Sequence, residues 1–285
     1  MAIFRNLTLA LAFIATLACA SKASAQPPVR ENGQPPPRPP RVVTDAQVLA
    51  ALKDSNLSTD DMINIVGPAA ALPPHTLRPA TLAAITQKIR QLNQESAARG
   101  EAISKGLIPA PPEGDEGNFE NLVSLVTVLI NQADVAGLDG IAECVDMGNT
   151  PFWALVGHGE EAVPALVRRA SNGDVDHDAG KVLKSMDALE QMLESPTIRP
   201  KLSPRSHAAI TQLAANRMRT LTGDKNWRLF AAAAYLAVAT GDPQLRRQVE
   251  ALNNNDRAFF QQGMDIESQR KTSELIQQAL EKFRN

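Results

Sequence analysis

The chain has 285 residues, a formal net charge of −2 and only two cysteines. A chain of this length can bury a core without disulfides, on which small secreted domains often depend. The slight excess of acids disfavours nucleic acid as a partner, because nucleic-acid-binding domains usually carry a basic surface.

The first residues are typical of a secretory signal peptide. Arg5 supplies a positive start, residues 7–20 are apolar, and Ala23-Ser24-Ala25 fits a cleavage site. The apolar stretch is short for a membrane span, which needs about 20 residues. A retained anchor and a lipoprotein acylated at Cys19 are the alternatives, and the residues before Cys19 fit a lipoprotein poorly. We therefore expect cleavage at Ala25–Gln26 and a periplasmic or secreted protein that meets the membrane only during export.

Cleavage leaves an acidic chain with one cysteine. Removal of residues 1–25 takes away two basic side chains and no acids, which leaves 27 basic against 31 acidic side chains, a formal net charge of −4. Cys144 then has no partner for an internal disulfide, and its apolar neighbours predict a buried thiol. A nucleophilic Cys144 is the alternative, but no histidine is singled out as its partner.

The sequence between residues 26 and 118 divides into three segments of different composition. Residues 26–43 are rich in proline and predict an extended polyproline II linker, with a docking ligand as the alternative. Residues 44–107 predict an N-terminal helical segment with caps at Thr44-Asp45 and Ser58 and a longer helix after Pro79. Residues 108–118 combine prolines, glycines and acids and predict a second linker. The long helix is predicted from three- and four-residue spacings of Leu82, Ile85, Ile89 and Leu92.

From residue 119 to residue 285 we predict helix after helix. No stretch alternates β-branched and polar residues over a strand length. Aromatic residues make up only 4% of the chain, while alanine, a strong helix former, is abundant. The sequence therefore predicts an all-α protein.

A repeated pattern lies within this helical region. Residues 162–166, Ala-Val-Pro-Ala-Leu, open a helix, and an Asp-containing turn leads to a second helix whose key residues stand at offsets 0, 4, 5, 7 and 8. The first set is Val175, Ala179, Gly180, Val182 and Leu183, and the second is Trp227, Ala231, Ala232, Ala234 and Tyr235. Residues 150–242 thereby resemble the short bacterial HEAT repeats, and a weaker copy covers residues 119–147. The resemblance implies an α-solenoid, which binds other proteins along an extended surface.

Two motifs have competing interpretations. Gly157-x-Gly159-x-x-Ala162 fits a dinucleotide-binding loop, but that loop needs a βαβ unit, so we expect these glycines to end one helix and admit the next. Asp174, Asp176 and Asp178 are spaced like the start of a calcium loop. The rest of that loop is missing, and we expect the aspartates to cap the following helix. The four histidines show no zinc spacing.

One segment is strongly basic. Residues 199–228 carry seven cations against Asp224 alone, a net of +6. We call it the basic strip, and its candidate partner-binding residues are Arg199, Lys201, Arg205, Arg217 and Arg219. A solvated helix face is the alternative interpretation.

These observations favour a HEAT-like α-solenoid with an additional N-terminal helical segment. We expect a non-enzymatic protein–protein interaction scaffold of the bacterial envelope, without cofactor, metal or nucleic acid. The alternative is a ligand-binding or regulatory envelope protein that uses the basic strip for an anionic partner or polymer.

Overall fold

A computed structural model describes residues 43–111, 117–173, 175, 178–220, 227–254 and 263–284. The all-α prediction is confirmed for these ranges, which contain α-helices and short 3₁₀ turns and no strand. The helices are α1 Asp45–Lys53, α2 Thr59–Val66, α3 Pro79–Ser104, α4 Phe119–Gln132, α5 Leu138–Ala142, α6 Asn149–His158, α7 Val163–Asn172, α8 Ala179–Glu194, α9 Pro204–Thr220, α10 Trp227–Ala239, α11 Pro243–Asn253 and α12 Ile266–Lys282. The predicted signal peptide and nearly all of the proline-rich linker lie outside the described residues. Within those residues, none of the helices combines the length and hydrophobicity that a bilayer-spanning segment needs.

The first helices begin where their caps predict. Thr44 closes a capping box with Gln47 at the start of α1, and the Ser58 side chain accepts from the Asp61 amide at the start of α2. Helix α3 begins at Pro79. Proline lacks a backbone N–H, but the first position of a helix does not need one, because an N–H there has no intrahelical acceptor. Its four predicted core residues are all fully buried: Leu82, Ile85, Ile89 and Leu92.

Helix α3 extends well beyond its packed part. No residue of α3 after Leu92 is buried, although the helix continues to Ser104. Helix α4 begins beside Leu92, because the side-chain Nδ2 of Asn118 donates to the Leu92 carbonyl and to the Ser96 hydroxyl at 3.4 Å each. The last three turns of α3 therefore lie on the surface.

Gly159 ends one helix before the next begins, as expected, whereas Gly157 lies within the last turn of the first helix. Helix α6 ends at His158, and Gly159 takes a left-handed φ of 55° that glycine adopts without strain. A 3₁₀ turn follows, and α7 begins at Val163 with Pro164 in its first turn. The residues before Gly157 are thus helical, which excludes a strand–loop–helix nucleotide site at this motif.

Helices pack on their first and second neighbours in the chain. Consecutive helices pack as pairs, namely α1 and α2, α3 and α4, α5 and α6, α7 and α8, α9 and α10, and α11 and α12. Each helix from α1 to α8, and α10 as well, also contacts the second helix after it. Odd-numbered helices therefore lie against odd-numbered ones, and even-numbered against even-numbered.

The N-terminal helices share this arrangement and the same core. Helix α3 packs on both α4 and α5, where Gly140 allows close approach. A Cβ atom at Gly140 would lie 2.4 Å from Leu129 Cδ1 and 2.6 Å from Thr86 Oγ1. Residues 44–107 are thus in direct contact with the helices that follow the 108–118 segment, and residues 112–116 of that segment lie outside the described ranges.

Alanine-rich helix α10 lies at the centre of the C-terminal packing. It contacts α8, α9, α11 and α12. Small side chains let four neighbours approach one helix closely, as the alanine content predicts. Its buried alanines are Ala231, Ala233, Ala234, Ala237 and Ala239.

Candidate functional site

An open groove of about 250 Å³ lies on three successive odd-numbered helices. Arg90 comes from α3, Asp139 from α5, and Arg168 and Arg169 from α7; Glu143 directly follows α5. The small side chains of Ala142 and Ala165 and the exposed Asn172 complete its lining. We call it the ion-pair groove.

Each carboxylate in the groove lies between two arginines. Asp139 Oδ1 accepts from Arg168 Nη2 at 2.6 Å, and its Oδ2 lies 3.9 Å from Arg90 Nη2. Glu143 Oε1 accepts from Arg90 Nε at 3.0 Å, and its Oε2 lies 3.2 Å from Arg169 Nη1. The charges therefore alternate in sign across α3, α5 and α7.

The groove has an exposed rim and a buried floor. The side chains of Arg90 and Arg168 are 49% and 57% exposed, whereas those of Glu143 and Arg169 are 15% and 14% exposed. Arg169 Nη2 lies 2.7 Å from Asp178 Oδ1, and its Nε has no hydrogen-bond partner although the atom is buried. The rim arginines are thus the ones accessible to another molecule.

The predicted calcium motif is only partly described. Asp178 stands at the N-cap position of α8, but its side chain makes no capping hydrogen bond and pairs with Arg169 instead. Asp174 and Asp176 lie outside the described residues. Across the described ranges, no group of three His, Cys, Asp or Glu side chains could hold a metal ion.

The basic strip falls into two separated groups. Arg199, Lys201 and Arg205 lie at or just before the start of α9, whereas Arg219 lies in its last turn. Arg205 and Arg219 are about 21 Å apart along the axis, at 1.5 Å per residue. Exposed Arg228 lies at the start of α10, with its guanidinium 5.3 Å from the centre of the Trp227 ring.

The assignment of Arg217 to an exposed strip is corrected by the structure. This side chain points into the protein, and the residue is only 9% exposed. Its Nε donates to the Ala170 carbonyl at 2.7 Å, and its Nη2 donates to the carbonyls of Ala170 and Gly173. These carbonyls end α7, where a cation is favoured by the helix dipole. Burial lowers the pKa of Arg217.

Cys144 is fully buried, as its neighbours predict. Burial is the main cause that raises the pKa of its thiol to about 12. A nucleophilic cysteine needs an accessible thiolate at neutral pH, which this environment disfavours.

A group of acids lies on helix α8 and faces α10 and α12. The Tyr235 hydroxyl donates to Glu194 at 2.9 Å, and the Lys282 ammonium also donates to Glu194. Burial, together with the charges of Glu194 and Asp187, raises the pKa of Glu190 to about 8, against the effect of Lys282. Glu194 thereby links α8 to Tyr235 on α10 and to Lys282 on α12.

No protein-family model, curated protein or solved structure matches the chain. The site therefore has to be judged from its own geometry.

The ion-pair groove is absent from the sequence interpretation. Its arginines on α3 and α7 are separated by more than seventy residues, and each belongs to an ordinary mixed-charge helix face. The available signal was the adjacent pair Arg168-Arg169, together with two acids four residues apart at Asp139 and Glu143.

Proposed function

We propose that this protein is an exported, non-enzymatic interaction scaffold of the bacterial envelope, built as a HEAT-like α-solenoid. The contacts between second-neighbour helices carry the proposal, because a stack of helix pairs repeats such contacts, and every helix from α1 to α8, as well as α10, makes one. The Ala-Val-Pro-Ala-Leu motif at residues 162–166 and the offset pattern shared by residues 175–183 and 227–235 support the same family resemblance. The predicted signal peptide supports the location.

The odd-numbered helices supply the surface that we propose for the partner. The ion-pair groove crosses α3, α5 and α7 and combines exposed arginines with a depression that a side chain can enter. Arginine is one of the residue types enriched at protein interfaces, and exposed ion pairs contribute little to stability. We therefore assign the rim of the groove to recognition.

The experiment is photo-crosslinking in the cell envelope, with partners identified by mass spectrometry. A photo-reactive amino acid at Asn172, in the groove lining, is expected to trap one dominant protein. The same amino acid at exposed Gln278 on α12 is the matched control. Equal crosslinking at both positions, or no protein partner at either, contradicts the scaffold.

The basic strip supports a second candidate, a ligand-binding envelope protein. Its specific observation is that Lys201 and Arg205 are exposed and form no ion pair with a carboxylate in the described part of the chain. Binding of an anionic envelope polymer should then fall with salt and with Lys201→Glu and Arg205→Glu. Arg217 is unsuitable for this test, because reversing a buried charge also unfolds the protein.

A further inference from the structure

The hydrogen-bond inventory of the ion-pair groove is unbalanced. Each guanidinium carries five N–H donors, so the three groove arginines offer about fifteen between them. Both oxygens of Asp139 and both oxygens of Glu143 already face arginines. The carboxylate oxygens of the groove are therefore already engaged by arginines, while many of the arginine N–H groups do not donate to them.

The open donors are on the rim. Arg168 contacts Asp139 through Nη2, and Arg90 contacts Glu143 through Nε. The nearest contact between Arg90 and Asp139 is 3.9 Å, which is beyond hydrogen-bond range. Both guanidiniums are about half exposed and converge on the same carboxylate. A ligand placed between them meets N–H groups from two helices, and the complementary ligand is an acceptor.

The geometry of the two rim arginines selects the kind of anion. Arg169 on the floor is already paired with Glu143 and with Asp178, so the unengaged donors that another molecule can reach lie on Arg90 and Arg168. A carboxylate matches the planar, two-pronged geometry of a guanidinium.

We propose that the ion-pair groove binds a carboxylate side chain of an acidic partner segment between Arg90 and Arg168. This inference rests on the proposed scaffold function and names the chemistry of its partner. Asp139 acts as the internal competitor for the same donors. It keeps the two arginines in place when the groove is free and shares them when a partner carboxylate is bound.

The test measures binding of acetylated pentaglutamate amide to the purified full chain by titration calorimetry. Arg168→Gln is expected to weaken binding about tenfold or more, which corresponds to about 1.4 kcal/mol. Arg247→Gln is the matched control, because it removes the same charge from an exposed arginine on α11, outside both the groove and the basic strip. Equal weakening in both variants, or weakening in Arg247→Gln alone, overturns the proposal.

A second variant distinguishes lost binding from lost folding. Asp139→Asn removes the internal competitor and is expected to tighten pentaglutamate binding several-fold, which a misfolded protein could not do. Unchanged or weaker binding in a folded Asp139→Asn variant contradicts the proposal, as does inorganic phosphate binding more tightly than the peptide. If crosslinking at Asn172 traps a partner but pentaglutamate does not bind, the scaffold survives and the carboxylate site does not. If pentaglutamate binds but crosslinking at Asn172 traps no partner, the carboxylate site survives and the scaffold does not.

Discussion

At the residue scale, Arg217 is a buried cation whose described partners are backbone carbonyls. Arg217→Met keeps most of the side-chain volume but leaves the carbonyls of Ala170 and Gly173 without this donor. We expect a loss of about 2–4 kcal/mol in the free energy of unfolding, because hydrogen bonds to charged groups are strong and the abandoned acceptors are buried. Urea denaturation measures this loss. Arg219→Met, at an exposed position two residues later, is the control and should stay within about 0.5 kcal/mol of wild type.

The raised pKa of Glu190 predicts that the free energy of unfolding falls as the pH rises, whereas an acid with a lowered pKa would make it rise. Its pKa in the folded protein is about 8 and its ordinary value is 4.5. Between these two values the unfolded chain ionises Glu190 while the folded protein keeps the proton, so rising pH destabilises the fold. The effect approaches its full size near pH 8.

Glu190→Gln removes this penalty. We expect the variant to exceed wild type by about 1–3 kcal/mol in unfolding free energy at pH 8, with the difference shrinking towards pH 4.5. The measurement is urea denaturation at pH 5, 6.5 and 8. Glu281→Gln, at an exposed position on α12, is the control. A difference that is constant with pH would rule out a raised pKa at Glu190.

At the element scale, the contact between α3 and α5 depends on Gly140, which has no side chain. Gly140→Ala places a methyl group against Leu129 and the backbone of Thr86, with Thr86 Cα at 3.3 Å. Overpacking of this kind costs about 1–3 kcal/mol. Gly157→Ala is the matched control, because no atom lies within 4 Å of its added Cβ and α6 is helical there. Thermal melting should show the first variant destabilised and the second stabilised by about 0.5–1 kcal/mol.

The helices were more predictable from sequence than their contacts. The caps at Thr44 and Ser58 and the proline starts of α3 and α7 act within a few residues, so the local sequence contains the signal. The direction of a charged side chain depends on what packs beside it. Arg217 and Arg219 look alike in sequence, yet one lies against the end of α7 and the other in solvent.

At the scale of the whole molecule, helices α1–α3 belong to the same packed core as the rest. Removing residues 1–118 would expose the faces of α4 and α5 that α3 covers. We expect the shortened chain 119–285 to lose cooperative unfolding, because the last helix pair of a stack needs a covering partner. Circular dichroism during thermal melting measures this.

Proteolytic cleavage within residues 108–118 is the control for that experiment. It cuts the connection without removing any helix, so the two fragments should remain associated on gel filtration. A cooperative transition in chain 119–285 alone would instead make residues 44–107 a separate domain.

Alkylation of Cys144 can report how often the core around this residue opens. The thiol has no exposed surface, and its pKa of about 12 keeps it protonated at pH 8. An alkylating reagent therefore reaches the sulfur only in molecules whose α5–α7 region has transiently separated. At high reagent concentration, the labelling rate becomes the opening rate of that region. The labelling rate of the buried Cys144 thiol thus measures how long the core around it stays closed.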